Sequence, residues 1–218
     1  MSVEEINEYY KKLIPIIGDD FDAPPLYVPL SNENENIGFF AKASTIEFQL
    51  FLDELISKNS TRWSISYYLE DRSAILMRFP QMANEKRFYH LGIDINVPLG
   101  TKLYSPFDSD VIISDYEEGD GNYGGFTVLR CQQQTTVFYL LFGHLNPGKL
   151  PCPGTRLRHG EAFSQVGDMS QNGNWHYHTH LQALTEKAFA NGWLNKGYCK
   201  KSDLPTIKEY CPNPFVFL

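Results

Sequence analysis

Three of the six histidines of this 218-residue chain fall within five residues, in the segment NWHYHTHLQAL at positions 174–184. They are His176, His178 and His180. The segment predicts a β-strand, in which residues two apart face the same side. His178 and His180 would then present two imidazole rings to one site. Such a pair suits a divalent metal ion, which takes further histidine or carboxylate ligands from other segments.

Two other segments carry side chains that suit the same site. HLGIDINVPLGT begins with His90 and places Asp94 four residues later, and Gly92 between them lets the backbone bend. LLFGHLN places His144 at the end of an apolar run, where a polar side chain can enter a cleft. We therefore expect these three side chains to converge with His178 and His180 from three strand ends.

These segments resemble, in the same order, the motifs of the lysostaphin-type (LytM-like) zinc metallopeptidases. HLGIDINVPLGTKLYSPFDSDVI is similar to the H-x-G-x-D segment of that family, and YGGFTVLR, FYLLFGHLN and HTHLQAL follow it. The resemblance covers roughly residues 87–185, and three ordered motifs are far more specific than H-x-H alone. NGNWHYHTHLQAL and CPNPFVFL are further similar to a cytoplasmic branch, in which this domain is fused to kinase-like and aminotransferase domains.

The resemblance implies a role for each of the five side chains. His90, Asp94 and His180 would bind one Zn²⁺, and His144 and His178 would be the catalytic imidazoles. Zinc with three protein ligands keeps a position for water and lowers its pKa from about 15.7 towards about 7. The implied activity is that of a metalloendopeptidase, which cleaves a peptide or related amide bond by attack of zinc-bound water.

The sequence departs from the usual family pattern at positions close to these motifs. Thr179 stands between the two histidines where leucine is usual, Leu181 replaces a usual phenylalanine, and Phe142 stands where tyrosine is common. None of these departures removes a ligand, although each could reshape the substrate cleft. His176 is additional, and it either extends the site or lies at the entrance of the strand.

Two other functions are alternatives to a peptidase. A catalytically inactive LytM-like binding or regulatory module is the main alternative, but inactive relatives usually lose ligands and this set is complete. A cupin-like metal oxygenase would need a glutamate close behind H-x-H, and Glu186 follows the expected end of the strand. The four cysteines form no C-x-x-C pair and no cysteine-protease motif. Because the N-terminus lacks the pattern of an export signal, we expect reduced thiols.

The alternation of short apolar runs with turn residues predicts a mainly β fold. From residue 87 onward, short β-rich runs alternate with turns that contain Gly, Asp, Asn and Pro, which indicates an antiparallel β-sandwich or barrel. The resemblance implies a core of the duplicated hybrid motif type. We place a domain boundary near residue 80, with an α+β N-terminal extension over 1–80 and the β core over 81–218. The apolar end of the irregular C-terminal tail is expected to dock on this core.

Local patterns predict the elements of the extension. Apolar spacing predicts a helix over 3–16, and a capping box of Ser44 and Glu47 begins a second helix, on which Ile46, Leu50, Phe51 and Leu55 share a face. TRWSISYYL and SAILMRFP predict two strands joined by the turn EDR. The extension could shape the cleft or regulate access to it.

Composition limits the class of protein. Hydrophobic residues make up 42% and aromatic residues 14% of the chain, which is typical of a folded globular protein. A net charge of −7 without a basic stripe argues against nucleic-acid binding. The N-terminus lacks the pattern of a conventional signal peptide, and no apolar run reaches about 18 residues. We therefore expect a cytoplasmic protein that acts on a peptide or muropeptide away from the membrane, with unconventional export left open.

Overall fold

The structure is a computed structural model and describes residues 8–218. Within this range the strands are β1 (Leu26–Tyr27), β2 (Ser64–Ser66), β3 (Arg87–His90), β4 (Ile93–Asn96), β5 (Lys102–Tyr104), β6 (Ser109–Glu117), β7 (Gly124–Gln133), β8 (Thr136–Leu145), β9 (Arg156–Leu157), β10 (Ala162–Gln165), β11 (Thr179–Thr185) and β12 (Tyr198–Lys200). Eight of them form one mixed sheet in the order β1-β2-β4-β11-β8-β7-β6-β9. β5 pairs with β10, and β3 pairs with β12. The predicted mainly β fold is confirmed.

The helices are short, with one exception. The α-helices of the described range are α1 (Ile14–Ile17), α2 (Ile37–Phe40), α3 (Thr45–Lys58), α4 (Ser73–Leu76), α5 (Pro80–Glu85) and α6 (Glu186–Ala190). Single 3₁₀ turns occur at Tyr10–Lys12, Asp19–Phe21, Pro147–Lys149, Lys201–Asp203, Ile207–Glu209 and Pro214–Val216. No helix within residues 8–218 combines the length and the apolar character needed to cross a membrane.

The central strands are buried on both faces. Along β8, Leu140 and Phe142 pack in one hydrophobic core, and Leu141 between them packs in a second core on the other side of the sheet. Successive side chains of a strand point to opposite faces, so covering both faces requires nearly continuous apolar runs. The run TVFYLLF of β8 satisfies this requirement. The site side chains of the neighbouring strands therefore lie deep in the fold.

Two predictions for the extension are wrong. Residues 3–7 of the predicted first helix lie outside the described residues. Residues 8 and 9 are helical as predicted, but a 3₁₀ turn and α1 then replace a continuous helix. Pro15 is the second residue of α1 and cannot donate a backbone hydrogen bond, so it fits the first turn of a helix and would interrupt a longer one. SAILMRFP forms α4 and the start of α5 instead of a strand. An apolar run this short fits a buried helical turn as well as a strand, and only its packing decides between them.

The helix predicted from the capping box is present as α3. The backbone N–H of Glu47 donates to Ser44 Oγ at 3.2 Å, and that of Ser44 donates to Glu47 Oε2 at 2.8 Å. The expected apolar face is wrong, however, because Leu50 is 63% exposed and the buried residues are Phe48 and Leu52. Apolar residues lie on more than one face of α3, so their spacing alone does not identify the face that packs.

The N-terminal extension and the C-terminal tail both contact the β core within the described residues. β1 and β2 of the extension join the large sheet, where β2 pairs antiparallel with β4. Phe217 stacks on Phe138 with ring centroids 4.1 Å apart, as expected for a docked C-terminal tail. The domain boundary near residue 80 stays a prediction.

We expect the Ser44→Ala substitution to lower the free energy of unfolding by about 1 kcal/mol, because α3 loses the side-chain oxygen that accepts from its first turn. Urea denaturation followed by circular dichroism measures this change. Ser57→Ala, at an exposed position near the other end of α3, is the control. Equal stability of the two variants would contradict the role of the cap.

Candidate metal centre

Strand pairing brings two of the predicted ligands together. β4 and β11 are antiparallel neighbours, and their register sets Asp94 opposite His180. His90 ends β3, and Gly92 carries the chain from there into β4. A Cβ atom at Gly92 would lie 2.6 Å from both the Cε1 atom of His180 and the carbonyl oxygen of Leu181. The glycine is therefore needed for the close approach of β11.

Three donor atoms of the predicted ligands meet at one point. The Nε2 atom of His90 lies 2.9 Å from the Nδ1 atom of His180, and each of these atoms lies 3.1 Å from Asp94 Oδ1. Tetrahedral zinc with bonds near 2.0–2.1 Å holds its ligand atoms about 3.3 Å apart. All three residues are at most 3% exposed. The spacing thus fits a small divalent cation in a buried site.

The hydrogen bonds on the outer sides of the two rings fix where their protons lie. His90 Nδ1 is 2.9 Å from the carbonyl oxygen of Tyr67, which can only accept, so this nitrogen carries the hydrogen. His180 Nε2 is 3.0 Å from Gln182 Oε1, and the amide group of that glutamine donates to Lys196 O. The two inner nitrogens therefore carry lone pairs. Together with a carboxylate oxygen they form a set of acceptors that a cation would stabilise.

His144 and His178 lie beside this donor set with their own protons held outward. His144 Nδ1 is 2.8 Å from the carbonyl oxygen of Asn172, and His178 Nδ1 is 2.8 Å from that of His176. Each ring therefore keeps an unprotonated Nε2. The Nε2 atom of His178 lies 3.7 Å from Asp94 Oδ1, and the ring centroids of His144 and His178 are 4.3 Å apart. The structure thus brings all five predicted side chains together.

The buried surroundings keep His90, His144 and His178 neutral. Burial is the largest cause that lowers the pKa of His144 and of His178, and it lowers the pKa of His90 to about 3. Burial acts in the opposite sense on Asp94, but the Arg72 guanidinium group helps to hold the pKa of that carboxyl well below its ordinary value. Neutral imidazoles and an ionised carboxylate are the protonation states that bind metal.

The segment before β11 differs from the prediction. The strand begins at Thr179, so His176 and His178 lie in the irregular chain that leads into it. The ring of His176 stacks on that of His178 at 4.2 Å, and its Nε2 is 2.9 Å from Asn96 Oδ1. The α3 residue Gln49 accepts from the backbone N–H of Tyr177 at 2.7 Å. His176 therefore supports His178 and does not join the donor set.

Several residues around the centre were missed. Arg72 is 3% exposed, and its Nη1 donates to Asp94 Oδ2 at 2.5 Å. Charged residues between two apolar runs are typical of a surface turn, so the sequence EDR did not indicate that Arg72 is buried. A narrow cleft borders the centre, and its lining includes His144, His180, Tyr123, Trp175 and Tyr198. This cleft gives access to two of the five predicted side chains.

Residues 88–191 match Peptidase family M23. This range contains all five predicted side chains, and the match supports a peptidase. A search of curated proteins gave no match.

Three solved structures show the range of structural similarity. A zinc-containing peptidase from Vibrio cholerae aligns at 24% identity with a TM-score of 0.38, over 45% of this chain and 28% of its own. LytU aligns at 21% identity with a TM-score of 0.39, over 56% of this chain and 74% of its own. The catalytic domain of the antimicrobial peptidase lysostaphin from Staphylococcus simulans aligns at 18% identity with a TM-score of 0.40, over 56% of this chain and 80% of its own.

We expect Gly92→Ala to weaken zinc binding and to destabilise the fold by about 1–3 kcal/mol, because the added methyl group meets the His180 ring and the Leu181 backbone. Competition with a chromogenic chelator measures the zinc affinity, and urea denaturation measures the stability. Gly38→Ala is the matched control, since a Cβ atom there meets nothing within 4 Å. Unchanged zinc affinity in Gly92→Ala would contradict the required close approach.

Proposed function

We propose that the chain is a zinc metallopeptidase that cleaves peptide or related amide bonds. The observation that carries this proposal is the convergence of three unprotonated donor atoms within 3.1 Å of one another, from His90, Asp94 and His180. Two imidazoles and one carboxylate form a typical catalytic zinc set, which leaves a coordination position for water or substrate. The match to Peptidase family M23 supports the reaction class.

The residues around the donor set provide the proton chemistry of amide hydrolysis. A zinc ion held by His90, Asp94 and His180 would supply a Lewis acid that lowers the pKa of bound water and polarises the substrate carbonyl. The unprotonated Nε2 atoms of His144 and His178 can accept the proton that the nucleophilic water loses. A protonated imidazole can then donate a hydrogen bond to the tetrahedral oxyanion or a proton to the leaving amine.

The backbone keeps both bases in working orientation. Carbonyl oxygens hold the Nδ1–H groups of His144 and His178, so neither ring can turn its proton toward the cleft without losing a buried hydrogen bond. His144 has a φ of 64°, a left-handed conformation that non-glycine residues seldom adopt. Its backbone N–H donates to Tyr123 O at 2.9 Å and its carbonyl accepts from Gly167 N at 2.9 Å, which stabilises this conformation.

The match to Peptidase family M23 and the cleft support a substrate class. We propose that the substrate is a peptide or muropeptide and that the cleaved bond lies within its chain. We also propose that the protein acts in the cytoplasm, like the LytM-like branch in which this domain is fused to kinase-like and aminotransferase domains. Arg87 and Glu117 both line the cleft, so it offers both signs of charge to a polar peptide. Digestion of a peptide and muropeptide pool by the zinc-loaded protein, read by mass spectrometry, tests the substrate.

Two histidine variants test the division between ligand and base. We expect His180→Ala to lose the zinc that the wild type holds at one per chain, because it removes one of three ligands. His144→Ala should keep the zinc and lose about 10²–10⁴-fold in turnover, because it removes a proton-transfer group. Zinc content is measured by mass spectrometry of the metal, and turnover by cleavage of a peptide found in the pool.

His159→Ala is the control for both measurements, because His159 lies in an exposed turn. Full turnover in His144→Ala and in His178→Ala would remove these residues from the mechanism. A wild type that binds zinc and cleaves nothing in the pool would contradict the peptidase and favour the inactive binding module.

A further inference from the structure

The segment Tyr67–Arg72 reaches the metal centre from outside the part of the chain that matches Peptidase family M23. The carbonyl oxygen of Tyr67 lies 2.9 Å from His90 Nδ1, and Arg72 Nη1 donates to Asp94 Oδ2 at 2.5 Å. This segment therefore touches two of the three proposed ligands on the side away from the donor set.

We propose that Tyr67–Arg72 sets the geometry and the affinity of the metal centre, with Arg72 as the positioning residue for Asp94. This inference rests on the proposed function, since it concerns the same three ligands. It assigns a function to part of the extension for which the sequence left shaping and regulating the cleft as alternatives.

Arg72 is fixed from two directions. Its Nε and Nη2 atoms donate to Glu70 Oε2 at 3.1 and 2.9 Å, and its Nη1 donates to Asp94. Both carboxylates are buried with it, at 8% and 2% residue exposure for Glu70 and Asp94. The planar guanidinium group can bridge two carboxylates in this way, whereas an ammonium group is a single point of charge.

Glu70 is itself anchored to the backbone of the extension. Its Oε1 accepts from the backbone N–H of Tyr67 at 2.9 Å, and its Oε2 accepts from that of Leu30 at 3.2 Å. The hydroxyl group of Tyr27 donates to Oε1 at 3.3 Å. The position of Arg72 therefore depends on β1 and on the turn after β2, and through Arg72 the position of Asp94 depends on them too.

The bond to Arg72 decides how Asp94 can bind a metal. One carboxylate oxygen, Oδ2, is occupied by the guanidinium group, so only Oδ1 points at the inner nitrogens of His90 and His180. A carboxylate can bind a metal through one oxygen or through both. Arg72 thus holds Asp94 to one-oxygen binding and keeps a coordination position free, which a catalytic site requires.

Charge and position make opposite predictions for a substitution of Arg72. A nearby positive charge alone would repel a dication, so its removal would tighten binding. Loss of an orienting partner of a ligand instead weakens metal binding, by about 10–100-fold. Arg72→Lys separates the two effects, because it keeps the charge and loses the bridge to both carboxylates.

We expect Arg72→Lys to raise the zinc dissociation constant by about 10–100-fold. The visible absorption spectrum of the cobalt-substituted protein, which reports the coordination number, should change as the second oxygen of Asp94 is released. Glu70→Gln should shift both measurements in the same direction, because it weakens the anchor of Arg72. Arg78→Lys is the matched control, since Arg78 is exposed, donates to the carbonyl oxygen of Ala43 and packs over Phe79.

The outcomes separate this inference from the proposed function. Wild-type affinity and an unchanged cobalt spectrum in both Arg72→Lys and Glu70→Gln would overturn the positioning role and leave the metal centre intact. If Arg72→Lys fails to fold, the same result in Glu70→Gln alone overturns it. A wild type that binds neither zinc nor cobalt would overturn the proposed function, and this inference with it.

Discussion

Three lone pairs that point at one another inside a protein repel unless a cation lies between them. The inner nitrogens of His90 and His180 and one oxygen of Asp94 meet in this way, because hydrogen bonds on their outer sides hold the protons away. Such an arrangement contributes stability only with a bound cation. The surrounding elements can all be understood by the part they play in holding these atoms at this distance.

Strands hold the proposed metal ligands in place, and a loop holds the two proposed bases. The pairing of β4 with β11 fixes Asp94 opposite His180, and the apolar cores on both faces of the sheet hold the strands rigid. The two bases depend instead on a loop. The carbonyl oxygen of Asn172 accepts a hydrogen bond from the Nδ1–H group of His144. The side-chain amide of Asn172 donates to the backbone carbonyls of Trp175 and His176, just before His178. One loop residue thus links both imidazoles.

The sequence predicted the parts of the site that depend on local spacing. The glycine between His90 and Asp94 has direct geometric meaning, and the order of three motifs carried the likeness to a family. Features that depend on long-range packing were missed. The prediction of a strand at SAILMRFP was wrong because apolar content did not distinguish a buried helical turn from a strand. Arg72 was missed because its partner Asp94 lies far along the chain and comes near only through β2 pairing with β4.

The pairing of β2 with β4 also bears on how this protein can be handled. A fragment cut to residues 88–191 would leave β4 at the edge of the sheet, with backbone donors and acceptors open to other molecules. Exposed edges of this kind promote self-association. Asp94 would also lose the guanidinium group that covers it and become accessible to solvent from that side. The edge that β2 covers in the full chain is therefore a site at which such a trimmed fragment is expected to self-associate.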